Sequence, residues 1–129
     1  GLNDGTIDIV ETDHAPHTKE EKASATPPFG VPGLETAVGL LFLGVKQKKL
    51  PRKLIQPLLH DRPQKIFAVP EQPDTYVEID PKKTTIVGEH GYESRCGWSP
   101  FYGWELPMRI EKVVYRGKTV VQQGVLNLT

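Results

Sequence analysis

Thr6-Ile7-Asp8-Ile9-Val10-Glu11-Thr12-Asp13-His14-Ala15-Pro16-His17 is the stretch that decides how the chain is read. Its first seven residues alternate apolar and polar with β-branched enrichment, which predicts a strand over residues 6–12 ending at Asp13. The period then collapses into Pro, Thr, Ser and Lys. Three side chains able to bind a metal or move a proton, Asp13, His14 and His17, stand within five consecutive residues at the C-terminal end of that strand. Barrel enzymes aim chemistry into the barrel mouth from such a junction. An aspartate at a strand-to-loop junction is as readily a turn residue bonding its own backbone. His14 and His17 are separated by Pro16 and need not point the same way, so one of them is expected to be structural.

Working outward, residues 14–33 read as a long loop, a length that marks function or disorder in a compact domain. Pro32-Gly33 leads into an apolar segment at 34–45 whose hydrophobic positions cover most of a helix circumference, predicting a helix buried on nearly all sides. Cations at 46–49 suit its C-terminus, and Pro51 opens a second helix in which Pro57 predicts a kink or stop. A third short helix is expected from Arg62-Pro63 to Phe67. Beyond Val69, residues 76–80, 84–87, 109–116 and 118–122 read as strands, with Arg116-Gly117 as a hairpin turn. The insert at 88–107 carries Trp98, Phe101, Tyr102 and Trp104, and is too aromatic for a solvated linker. The first strand has no evident neighbour within the chain.

Composition narrows the function classes. The 129 residues carry 16 Lys+Arg and 16 Asp+Glu, so charge alone disfavours a nucleic-acid or acidic-membrane binder. A hydrophobic share of 37% supports a real core, and 12 prolines predict stiff, structured loops. Cys96 is the single cysteine. It cannot form an intrachain disulfide and is expected to be a packed, inert thiol, and with no membrane-length apolar run a cytoplasmic setting is the default. The remaining histidines, His60 and His90, lack ligand-like spacing, so these residues alone do not close a catalytic zinc site.

Three motifs carry a family resemblance: Thr12-Asp13-His14-Ala15-Pro16-His17-Thr18, Pro27-Pro28-Phe29-Gly30-Val31-Pro32-Gly33-Leu34-Glu35-Thr36, and Arg62-Pro63-Gln64-Lys65-Ile66-Phe67. With Ser99-Pro100-Phe101, Gly103-Trp104 and the Val113-to-Gly117 hairpin, they resemble the last third of a dihydroorotase of the amidohydrolase superfamily. The resemblance implies an α/β fold class: the C-terminal fragment of a (β/α)8 amidohydrolase barrel, namely its last strand and helix, plus part of the accompanying small β-sandwich. Residues 1–69 would hold the strand, substrate loop and helices, and residues 70–129 the β-rich sandwich segment.

The same resemblance implies a zinc-dependent cyclic amide hydrolase that interconverts dihydroorotate and N-carbamoyl-aspartate in pyrimidine biosynthesis. It makes Asp13 a zinc ligand and the general base and acid, His17 a contact to the substrate carboxylate, and the Phe29-Gly30 backbone the loop that hydrogen-bonds substrate. His14 matches a variable position and receives no ligand role. Glu20, Glu21 and Lys22 read as mutually neutralising charges on a solvated loop, and Glu35 as an N-terminal charge or a buried acceptor. Asp61 stands where relatives usually carry Asn. The family's other zinc ligands and substrate-holding residues have no counterparts here, so the chain reads as an excised piece, inactive alone. The alternative is a non-catalytic dihydroorotase-like subunit. Expected partners are the small-molecule substrate, a second copy or aspartate transcarbamoylase, with neither nucleic acid nor membrane among them.

Overall fold

The computed structural model describes residues 1–127. The apolar segment forms helix α2 (Ala37–Lys46), and a one-turn helix α1 (Lys19–Lys22) precedes it. Helix α2 starts three residues later than the pattern predicts because residues 34–36 are spent on a turn. The Gly33 carbonyl accepts from the amides of Thr36 and Ala37 and from the buried Thr36 hydroxyl. The expectation of burial on nearly all sides is corrected. Only Gly39 and Phe42 of α2 are buried, and Leu40, Leu41 and Gly44 open onto a recess of about 380 Å³ shared with Leu2 and Leu50. No described element covers that face.

The helical stretch that follows does not stop at Pro57. A 3-10 turn (Arg52–Leu54) continues through a π-helical turn (Pro57–Asp61) into helix α3 (Arg62–Ile66). Proline breaks a helix by lacking an N–H and by pressing its ring on the carbonyl four residues back. A wide turn just before Pro63 relieves that pressure, and the Arg62 amide reaches back five residues to the Pro57 carbonyl. The next amide in that pattern would belong to Pro63, which has none, so the Leu58 carbonyl is left without a helical donor. The amide of Val10 takes it at 3.1 Å.

Residues 6–12, expected as a strand whose neighbours this chain does not supply, stand in no ladder among the described residues, and this bond is what holds them. The segment forms no ladder with any described strand; it lies along the helical stretch, through Val10 to Leu58 and through Arg62 Nη1 to the Asp8 carbonyl at 3.2 Å. A strand exists only where a partner supplies matching donors and acceptors. Ile7, at the start of the segment, stays largely exposed.

The remaining strands form antiparallel pairs. A four-stranded sheet runs β1 (Tyr76–Asp80), β4 (Arg109–Tyr115), β5 (Lys118–Gln122), β6 (Val125–Leu126) in that spatial order. The β4–β5 turn carries Arg116 at φ 49° and Gly117 at φ 77°, the doubly left-handed geometry of a tight hairpin. A second pair, β2 (Thr85–Ile86) with β3 (Glu105–Leu106), brackets the aromatic insert. Strand β3 lies against α2 so closely that a Cβ on Gly39 would come within 2.5 Å of Leu106 Cδ1. The core comprises Phe42, Leu50, Leu58, Val87, Cys96, Leu106, Met108 and Val114, with Leu58 fully enclosed. Among the described residues no helix is long and apolar enough to cross a membrane.

Replacing Pro63 with alanine restores an N–H that competes for the Leu58 carbonyl. In the full-length protein Pro63→Ala should speed hydrogen exchange at the Val10 amide while leaving the β4–β5 amides unchanged. Equal protection of Val10 in both proteins would contradict this account.

Candidate active site

Asp13 ends the extended segment with a sharp bend. Its φ of 42° lies in the left-handed region, which costs most side chains energy but which Asp tolerates better than they do. The bend is held by the Asp13 amide, which donates to Glu11 Oε2 at 2.7 Å. The Asp13 carboxylate is exposed and enters no ion pair among the described residues.

The residues after the bend are pinned to the chain that leads into α2. His14 Nδ1 accepts from the amides of both Gly33 and Leu34 at 3.2 Å. With Nδ1 accepting, the proton of a neutral ring sits on Nε2. The Ala15 amide donates to the Val31 carbonyl at 3.1 Å. Gly30 closes this strap at φ 86°, where a Cβ would lie 2.5 Å from Ala15 Cβ, so glycine is required for both conformation and space. Phe29 beside it is 96% exposed. The structure thus brings Gly30 against Ala15, midway between Asp13 and His17, and leaves Phe29 at an open loop tip.

His17 follows at the entrance to α1. Its amide donates to the Ala15 carbonyl, and its Nδ1 lies 3.6 Å from Glu21 Oε2. That contact is half exposed and weak, and it does not commit the imidazole. Residues 20–22 are corrected from a solvated loop to a capped helical turn. Thr18 and Glu21 form a reciprocal capping box, and Lys22 Nζ donates to the Pro28 carbonyl at 2.6 Å. The Thr18-Lys19-Glu20-Glu21 spacing was the available signal.

The C-terminal insert completes the scaffold. Trp98 Nε1 donates to the His17 carbonyl at 2.7 Å, and the Glu35 carboxylate accepts from the amides of Glu93 and Ser94. Glu35 is an acceptor but an exposed one, not buried. The Tyr92 hydroxyl is enclosed without a hydrogen-bond partner, and burial pushes its pKa above the usual phenol value. Trp98 was visible as part of a packed aromatic insert, yet nothing local in the sequence pointed to His17, 81 residues away. Asp61 accepts from His60 and Gln56, which hold its carboxyl below the usual carboxylate range at a distance from this site.

A metal needs more than this chain's described residues provide. Among them no group of three His, Cys, Asp or Glu side chains converges, so Asp13 fits as one ligand of a set and not as a site.

No family model matches the chain. It is 43% identical over 118 residues to the multifunctional protein pyr1-3 of Dictyostelium discoideum, covering 92% of this chain and 5% of that protein. The multifunctional protein CAD of Squalus acanthias is 40% identical over the same shares, and the dihydroorotase of Thermus aquaticus is 36% identical over 82% of this chain and 27% of its own length. Among solved structures, the D-hydantoinase (dihydropyrimidinase) of Thermus sp. superposes with a TM-score of 0.88 at 27% identity, covering 98% of this chain and 31% of that one. The inactive dihydroorotase-like domain of the Chaetomium thermophilum CAD-like multifunctional protein gives 0.66 at 27% identity, over 84% of this chain and 30% of that one. The chain therefore spans under a third of the length of these relatives. These similarities identify the chain as a dihydroorotase-like region that superposes on part of a hydantoinase-type amidohydrolase fold.

Proposed function

We propose that this region supplies the general acid/base and the substrate loop of a zinc-dependent dihydroorotase, which opens the cyclic amide of dihydroorotate to N-carbamoyl-aspartate and closes it again in pyrimidine biosynthesis. The observation that carries the reading is the exposed, unpaired Asp13 carboxylate, set on a strained bend whose flanks are pinned to the Gly30 strap. A left-handed non-glycine costs local stability and persists only where the surrounding bonds fix it, as Glu11 and the His14 strap do here.

In this reading Asp13 would be one ligand of a zinc ion, which when bound would supply Lewis acidity at the reacting carbonyl. Asp13 takes the proton of the attacking water and returns it to the leaving amide nitrogen, so one carboxylate serves both directions of a reversible reaction. His17, loosely held by Glu21, turns to the substrate carboxylate. Gly30 lets the loop backbone approach the ring closely, and Phe29 lies at the same loop tip.

We place the barrel-derived part, the last strand and its helix, at residues 1–69 and the sandwich part at 70–129. Residues 6–12 gain their ladder partners from the rest of the barrel. The setting is cytoplasmic, with self-association or association with aspartate transcarbamoylase. The likeness to an inactive dihydroorotase-like domain favours a second reading, a structural partner of that transcarbamoylase. Retention of both Asp13 and His17 supports the catalytic reading over it.

Isolated residues 1–129 should show no turnover of dihydroorotate and should bind zinc more weakly than micromolar in calorimetry. Full-length protein carrying Asp13→Asn should lose turnover by about 10²–10⁴-fold, the usual contribution of a general acid/base. Wild-type full-length protein without dihydroorotase turnover would select the structural reading. His17→Ala should raise KM with little change in kcat, because a substrate carboxylate is present in ground and transition states alike.

A further inference from the structure

We propose that Trp98 is a positioning residue for substrate binding, acting through the backbone of His17. This rests on the assignment of His17 to the substrate carboxylate made above. The indole Nε1 donates to the His17 carbonyl at 2.7 Å, and the bond is part-buried and spans 81 residues of sequence. It joins the loop that carries the site to a segment that supplies none of its chemistry.

Trp98 is itself held. The amides of Glu93 and Ser94 donate to Glu35 at 3.1 and 2.9 Å, which fastens the start of the segment beside the N-terminus of α2. The Ser94 hydroxyl and Cys96 Sγ lie 3.2 Å apart, and the buried Cys96 thiol donates to the Trp98 carbonyl at 3.7 Å. Trp98 also lines a small recess with His14 and Pro32 of the loop, Thr36 before α2, and Tyr92 and Ser99 of its own segment. The segment that carries the donor is therefore tied to the start of α2 through Glu35 and bonded within itself.

Elsewhere the His17 backbone is held only locally, by its amide to Ala15, while its side chain has a weak exposed contact. Without the indole N–H, the His17 carbonyl loses its long-range anchor, and the residue is left between its own amide bond to Ala15 and the Thr18 capping box. An imidazole displaced by even a fraction of an ångström loses its aim at a carboxylate, whereas Asp13 keeps its own anchors through Glu11 and the His14 strap. The loss therefore falls on binding and spares the chemical step.

Trp98→Phe removes the N–H and keeps the ring. In full-length protein it should raise KM for dihydroorotate about two- to tenfold, the range expected for one part-buried hydrogen bond, with kcat nearly unchanged. Combined with His17→Ala it should add nothing further to KM, since both changes remove the same contact. An unchanged KM in Trp98→Phe, an equal fall in kcat, or additive effects in the double variant would overturn the inference. If His17→Ala itself leaves KM unchanged, the assignment of His17 fails and this inference fails with it, whereas a His17 effect without a Trp98 effect sinks this inference alone. Should Trp98→Phe fail to fold, hydrogen exchange of the wild-type enzyme decides. Protection on dihydroorotate binding should appear in residues 93–99 together with residues 14–22, and protection confined to 14–22 would refute the link.

Discussion

The carbonyl of Leu58 is where the extended N-terminal segment is joined to the helical stretch. A proline five residues ahead has no amide to give it, and the π turn that makes room for that proline sends the Arg62 amide past it to Pro57. An unpaired carbonyl next to the fully buried Leu58 side chain is costly, on the order of 1–3 kcal/mol. Val10 meets that need, and the extended segment is thereby laid along the helical stretch in one register. The bend at Asp13 follows three residues after this fixed point.

From Asp13 onward the same logic is repeated with side chains. His14 gathers the two amides that open the turn before α2, Ala15 pairs with Val31, and Lys22 reaches the carbonyl of Pro28. None of these bonds is strong in net terms, each contributing about 0.5–1.5 kcal/mol. Their value is geometric. They hold the backbone that carries Asp13, His17 and Gly30 in one arrangement without a regular ladder. The open face of α2 and the exposed Phe29 mark where this scaffold ends.

Much of this was legible from residue order. The hairpin at Arg116-Gly117, the apolar helix and the C-terminal strands follow from local rules: backbone sterics, periodicity and side-chain type. The family resemblance was carried by contiguous motifs. Where local rules failed, a distant partner was responsible. Residues 6–12 have strand character, but a ladder requires a neighbour, and the donor they supply goes to a helix instead. Pro57 reads as a kink or a stop; the helical stretch does not stop there but widens into the π turn that accommodates Pro63.

The sequence by itself determined which residues could do chemistry and which segments would be extended, helical or tightly turned, because those properties reside in single side chains and their nearest neighbours. Only the tertiary structure decided what holds the site together. His14, which as a variable position had no assigned role, proved to be the pin between two loop segments. Trp98, known only to need packing, donates to a carbonyl 81 residues away. Hydrogen bonds between distant residues leave no periodicity in a sequence; they depend on where the folded backbone delivers a donor to an acceptor that its own neighbours left unpaired.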